Sequence, residues 1–170
     1  MVVAAIFLTL PLCVAFAALN DLLSMTIPNR IPLILLLSFI VVAPLTGMDW
    51  QTFAMSIAAA GAVFLVCFGL FAANAMGGGD AKLLTAATVW YGFNISLVEF
   101  LLAVTFLGGV LTIGILLLRS RSQEIMAAGI PIPDSLLVAK KIPYGIGIAI
   151  AGLLTYGDAP LVKAAIASLT

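Results

Sequence analysis

Two carboxyl residues stand out in a chain that otherwise nearly excludes charge. Asp80 closes the run Gly77-Gly78-Gly79-Asp80, and Asp21 sits near the end of the first apolar stretch. Charged residues make up 8% of the chain and hydrophobic ones 64%. A carboxylate at helix-spanning depth costs roughly 2.5–3.5 kcal/mol on insertion scales, so something must compensate for it. Two carboxyls in one low-dielectric cavity do not both ionise cheaply and tend to share a proton. The ionised member can then activate water as a general base, and the protonated member can donate. Plainer roles compete with this one. Asp80 ahead of Ala81-Lys82-Leu83 is a good helix N-cap, and glycines are ordinary turn residues. Asp21 can be a satisfied polar residue near a helix end.

Composition removes other chemistries. The chain has no histidine, which excludes Ser-His-Asp and Cys-His catalysis and the HExxH zinc site. Cys13 and Cys67 lie inside apolar runs and read as small apolar residues. No metal and no cofactor is expected. The formal net charge of zero offers no basic surface for nucleic acid.

The elements that must position the acids are apolar stretches. Mean hydropathy is +1.30, the level of a polytopic membrane protein embedded in a lipid bilayer. The reading is all-α, with about six transmembrane helices. The first runs from Val2 into the Met25–Thr26 region, where Ile27-Pro28 stops it. The second spans about Ile31 to Leu45, the third Gln51 to Ala73, and the fourth Ala81 to Phe93. The fifth spans Ser96 to Leu118 and the sixth Pro143 to Tyr156. Pro160 to Leu169 is too short to span and is expected at the interface. Ala15-Phe16-Ala17 resembles a signal-peptide cleavage site. No Lys or Arg precedes the apolar run, so a retained first helix is expected.

With six spans, Arg30, Lys82, Arg119, Arg121, Lys140 and Lys141 share one side, and Lys163 stands on the other. The positive-inside rule then makes the first side cytoplasmic and puts the N-terminus outside. Asp21 and Asp80 fall on the cytoplasmic half. The loop from Arg119 to Lys141 reads either as a solvated connector or as a docking surface for substrate or anionic lipid. Asp21 is expected about 9 Å inside its helix end. Trp90 and Tyr91 read as an outer aromatic belt. Counting back from Trp90 puts Asp80 about 15 Å inward, near mid-depth or somewhat towards the cytoplasm, in a wet cavity facing that side. Glu99 reads as an outer first-turn residue and not as a third catalytic acid.

Three segments in order resemble one family. Gly77-x-Gly79-Asp80 resembles the GxGD motif of intramembrane aspartic proteases, and its extension through Lys82-Leu83 resembles the prepilin peptidase version. Asp21 followed by Ile27-Pro28-Asn29-Arg30 resembles that family's first aspartate segment. Lys141-Ile-Pro143-Tyr144-Gly145 resembles a stretch at the start of its last helices. The short length resembles the tight-adherence (Flp pilus) type. The resemblance covers nearly the whole chain and implies one peptidase domain over residues 1–170. It implies an aspartic endopeptidase of the inner membrane that cleaves prepilin leaders at the cytoplasmic face. Asp21 and Asp80 would be catalytic, with Gly77, Gly79, Lys82, Pro143 and Tyr144 supporting the motif or binding substrate. A homo-oligomer is compatible with it. The larger members carry an extra N-terminal region, often with a four-cysteine zinc site, and also methylate. This chain lacks those cysteines, so cleavage without methylation is expected. Helix dipoles suggest Asp80 as the base and Asp21 as the acid, because Asp80 starts a helix and Asp21 nears the end of one. A small ion-coupled transporter and a non-catalytic pilus-assembly component are the alternative readings.

Overall fold

The computed structural model describes residues 2–127, 134–137 and 142–167, and among them the chain is helical with no strand. The helices are α1 (Val2–Ser24), α2 (Arg30–Leu45), α3 (Trp50–Ala72), α4 (Gly78–Tyr91) and α5 (Ile95–Ser120). Short α6 (Ser122–Ala127) and α7 (Asp134–Leu137) follow, then α8 (Tyr144–Thr155). A single 3-10 turn (Tyr156–Asp158) leads into α9 (Pro160–Ala167). Among the described residues, α1, α3 and α5 are long and apolar enough to cross a membrane. The α8–α9 pair, bent by 42°, makes a fourth candidate if it is one broken span. A count of six would need two shorter helices as well, α2 with 16 residues and α4 with 14.

Side-chain and backbone caps set the ends. Asp49 accepts from the Thr52 amide at 2.8 Å to start α3, and Asn94 accepts from the Ser96 amide at 2.8 Å to start α5. At the end of α3, the Ala75 amide donates to Leu70 O and the Asn74 amide to Phe71 O, both at 2.9 Å. This is a Schellman motif with Asn74 in the left-handed position at φ 57°.

Helix α4 is the hub. It packs against α1, α2, α3, α5, α8 and α9, and it is buried from Ala86 through Tyr91. Its short length follows from its register against α3. A Cβ on Gly78 would lie 3.2 Å from the Phe71 ring, and one on Gly92 would lie 3.0 Å from Ser56 Oγ. From Ser56 to Phe71 is fifteen positions, about 22 Å, and α4 itself is about 21 Å long. Helix α4 is therefore level with α3 at its Gly78 end. It stops about 9 Å short of Trp50 at the other end.

That register bears on two expectations. Trp90 and Tyr91 do not form an outer belt; both are fully buried. Their polar atoms find partners inside the protein. Trp90 Nε1 donates to Leu35 O at 3.1 Å, and Tyr91 Oη bonds Thr155 Oγ1 at 3.0 Å while its ring stacks on Phe100. The count that placed Asp80 near mid-depth thereby loses its anchor. Asp80 lies two residues into α4, about 3 Å from a helix end that is level with the end of α3. Asp21 is three residues from the end of α1, about 4.5 Å and not 9 Å. Helix α9 also turns Leu161, Val162 and Ala165 inward, and the helix packs on α1 and α4. Its apolar face is covered by protein, which removes the reason to assign it to the interface.

Candidate active site

One end of the bundle gathers the candidate residues: the end of α1, the start of α2, the turn between α3 and α4, and the start of α8. Asp21 and Asp80 are both buried there, at 5% and 8% exposure. Both line one polar cavity of about 250 Å³, with Met25, Ile27, Asn29, Gly77, Gly79 and Ile142 also in its wall. A second cavity of about 260 Å³ adjoins it on the other side of Asp80, walled by Phe71, Asn74, Met76, Gly77, Ile142 and Tyr144.

The glycines are spacers that a side chain would fill. Helix α4 begins at Gly78 with Gly77 as its cap, so Asp80 is the third helical residue and not the N-cap. Its side chain folds back over Gly77, where a Cβ would lie 2.6 Å from Asp80 Oδ2. A Cβ on Gly79 would lie 3.2 Å from Ile27 Cβ. Gly79 thus lets the α4 start close against the segment that follows α1, which draws the two acid-bearing segments together.

Gly145 does the same for Asp21 and adds a bond. Its amide donates to Asp21 Oδ2 at 2.8 Å. A Cβ at Gly145 would lie 2.8 Å from that oxygen and 3.0 Å from both Asp21 Cβ and Ile27 Cδ1. Gly145 is the second residue of α8, so Asp21 faces the positive end of that helix. The expected dipole contrast between the acids therefore disappears. Asp80 sits in the first turn of α4, and Asp21, though near the end of its own helix, is bonded to the start of another.

The other expected residues divide. Pro143 is buried at the cap position of α8. Tyr144 lines the second cavity, and its Oη bonds Thr112 Oγ1 at 3.0 Å, tying α8 to α5. Lys82 is exposed, and its Nζ donates to Asn29 Oδ1 at 3.0 Å. This bond ties the N-terminal part of α4 to the cap of α2. Glu99 is exposed near the start of α5, away from the carboxyl cavity. Lys140, Lys141, Pro131 and Pro133 lie outside the described residues, and with them much of the expected docking loop. Among the described residues of that segment, Arg119 Nε donates to Leu136 O at 2.8 Å.

Sequence reasoning did not assign roles to Gly145, Ile142 or Ile27. Gly145 stood at the end of a recognised motif, which was its signal. Ile27 carried none beyond the proline after it.

The sequence profile of the type IV leader peptidase family matches residues 8–113. The chain belongs to that family. It is a prepilin leader peptidase, a membrane protein and a hydrolase. The matched span contains Asp21 and the Gly77–Asp80 motif but ends before Pro143, Tyr144 and Gly145, which the fold brings to the same cavities. No curated protein and no solved structure matches the chain.

Proposed function

We propose that the peptidase hydrolyses the prepilin leader bond in the cavity that Asp21 and Asp80 share. The observation that carries this reading is the burial of both carboxyls in one polar cavity of about 250 Å³ at the ends of their helices. Two such groups hold one proton between them, and their titration belongs to the pair. The ionised carboxylate takes a proton from water as the oxygen attacks the scissile carbonyl. The protonated partner donates to the carbonyl oxygen, and a proton then passes to the leaving amine as the C–N bond breaks. The Gly145 amide fixes the Asp21 carboxylate, and Gly77 leaves room for that of Asp80. Gly79, Lys82, Pro143 and Tyr144 serve as supports. No metal, cofactor or covalent intermediate enters these steps.

In this reading residues 1–170 form one peptidase domain in the cytoplasmic membrane. Six spans, counting α2, α4 and the α8–α9 pair, put the N-terminus outside. Arg30, Lys82, Arg119 and Arg121 mark the cytoplasmic side by the positive-inside rule. The site then opens at the cytoplasmic face, beside the bilayer headgroups, where a Flp-type prepilin leader can reach it. Homo-oligomers are compatible with this arrangement. Asp21→Asn and Asp80→Asn variants, assayed against a prepilin, test the reading. Each loses about 10²–10⁴-fold in cleavage if the pair does the chemistry. Undiminished cleavage by both ends it.

A further inference from the structure

The chain turns sharply where α1 ends beside the carboxyl cavity. Met25, the first residue after α1, has φ 54°, in the left-handed region that glycine adopts freely and other residues rarely do. Its amide donates to Asp21 O at 2.9 Å, and the hydroxyls of Ser24 and Thr26 bond one another across it at 2.8 Å. Ser24 Oγ also donates to Asn20 O at 2.8 Å, so Thr26 is the donor to Ser24. The turn carries Ile27 to the place where it meets both Gly79 and Gly145. Glycine at position 25 would make the same turn without strain. The conformation therefore does not explain a methionine. Packing does not explain it either: Met25 is half-buried, but among the described residues it neither belongs to the apolar core nor packs on it. What remains is the cavity, which Met25 lines together with Asp21 and Asp80.

We propose that Met25 is a specificity-determining residue: its side chain meets the substrate residue on one side of the cleaved bond and sets the size accepted there. This rests on the Asp21–Asp80 reading above. Strain held beside reacting groups points to use of the residue that bears it. The other liners of the cavity are already committed. Ile27 is wedged against two glycines, where a Cβ on Gly79 or Gly145 would lie 3.2 or 3.0 Å from it. Asn29 accepts from Lys82, Thr26 donates to Ser24, and the glycines have no side chain to offer. Met25 is the long, flexible one, and an unbranched thioether moulds itself to side chains of different shape. Its reach is limited to one side of the bond. Asp80 divides this cavity from its neighbour, which Phe71, Met76 and Tyr144 line and Met25 does not. A chain crossing Asp80 puts its next residue into that second cavity, beyond Met25. Ile142 borders both cavities and so favours neither side.

The test uses the full chain in liposomes with a prepilin in which the residue before the cleaved bond, or the residue after it, is enlarged in steps. Met25→Ala opens the cavity. It raises kcat/KM for the enlarged substrates, relative to the parent prepilin, by about ten-fold or more at one of the two positions and leaves the other unchanged. Met25→Leu, of similar volume, keeps the wild-type profile at both. So does Met55→Ala, an exposed residue near the Trp50 end of α3. In a separate arm, Met25→Gly melts at or above the wild-type temperature, because it relieves the left-handed strain, yet it lowers kcat/KM for the parent prepilin. An unchanged profile for Met25→Ala, an equal shift at both positions, or a Met25→Gly protein that melts below wild type overturns the proposal. The last would make Met25 a packing residue. Failure of the carboxyl reading looks different: Asp21→Asn and Asp80→Asn would keep cleaving while Met25→Ala still shifted the size accepted at one position.

Discussion

Replacing Gly145 by alanine tests how Asp21 is held. The added Cβ would lie 2.8 Å from Asp21 Oδ2 and 3.0 Å from Asp21 Cβ. Such contacts are several tenths of an ångström too short, and Asp21 Cβ belongs to a helix that α8 packs against, so it cannot swing aside. The carboxylate must rotate or α8 must retreat, and either change stretches the 2.8 Å bond from the Gly145 amide. A hydrogen bond to a charged group contributes about 1.5–3 kcal/mol. If that bond orients Asp21 in the transition state, its loss lowers kcat by about ten- to a hundred-fold. The assay is prepilin cleavage in liposomes, with kcat and KM separated. The fall is expected in kcat, since Gly145 positions a reacting group. Gly114→Ala is the control, because a Cβ there meets nothing within 4 Å. Wild-type kcat for Gly145→Ala in a folded protein would refute the positioning argument.

Three further outcomes follow from the same geometry. Gly77→Ala puts a Cβ 2.6 Å from Asp80 Oδ2; it lowers kcat by about ten-fold or more by turning that carboxylate away, measured in the same assay. Asn74→Ala costs about 1 kcal/mol of stability in reversible unfolding, because alanine tolerates the left-handed conformation less well, while Asn74→Gly costs nothing. Asp49 lies outside the spans, and its bonds from the Thr52 hydroxyl and amide hold its carboxyl below the ordinary carboxylate range. A depressed folded-state value means this contribution is present above the unfolded value and is lost as pH falls through the folded one. Asp49→Asn keeps the cap and removes that part of the acid sensitivity, seen as a flatter profile of melting temperature against pH.

The helices were legible because apolar runs and their stops are local signals. Pro28, Asn74 and Gly92 each end or precede an element within a residue or two of where composition puts the break. The two acids were legible because charge is so rare in this chain. Depth was not legible. It depended on reading Trp90 and Tyr91 as interfacial, and aromatic residues near a helix end look the same whether they face headgroups or a core. Only the register of α4 against α3, set by Gly78 on Phe71 and Gly92 on Ser56, shows that they are buried. The dipole argument lost its contrast for a related reason. The local sequence shows Asp21 near the end of α1, but its nearest helix start belongs to α8, 124 residues away. A contact of that separation leaves no periodic trace. Gly145 is the single residue that could have signalled it, since a glycine in the first turn of an apolar helix invites the question of what lies against it.

The central claim is that Asp21 and Asp80 act together on one bond. Its most direct measurement is the single-turnover cleavage rate of a prepilin by Asp21→Asn, Asp80→Asn and the double variant, each shown to be folded. If the pair works as one unit, each single change costs about 10²–10⁴-fold, and the double variant is little slower than either. Full activity in either single variant, or losses that simply multiply in the double, would contradict it.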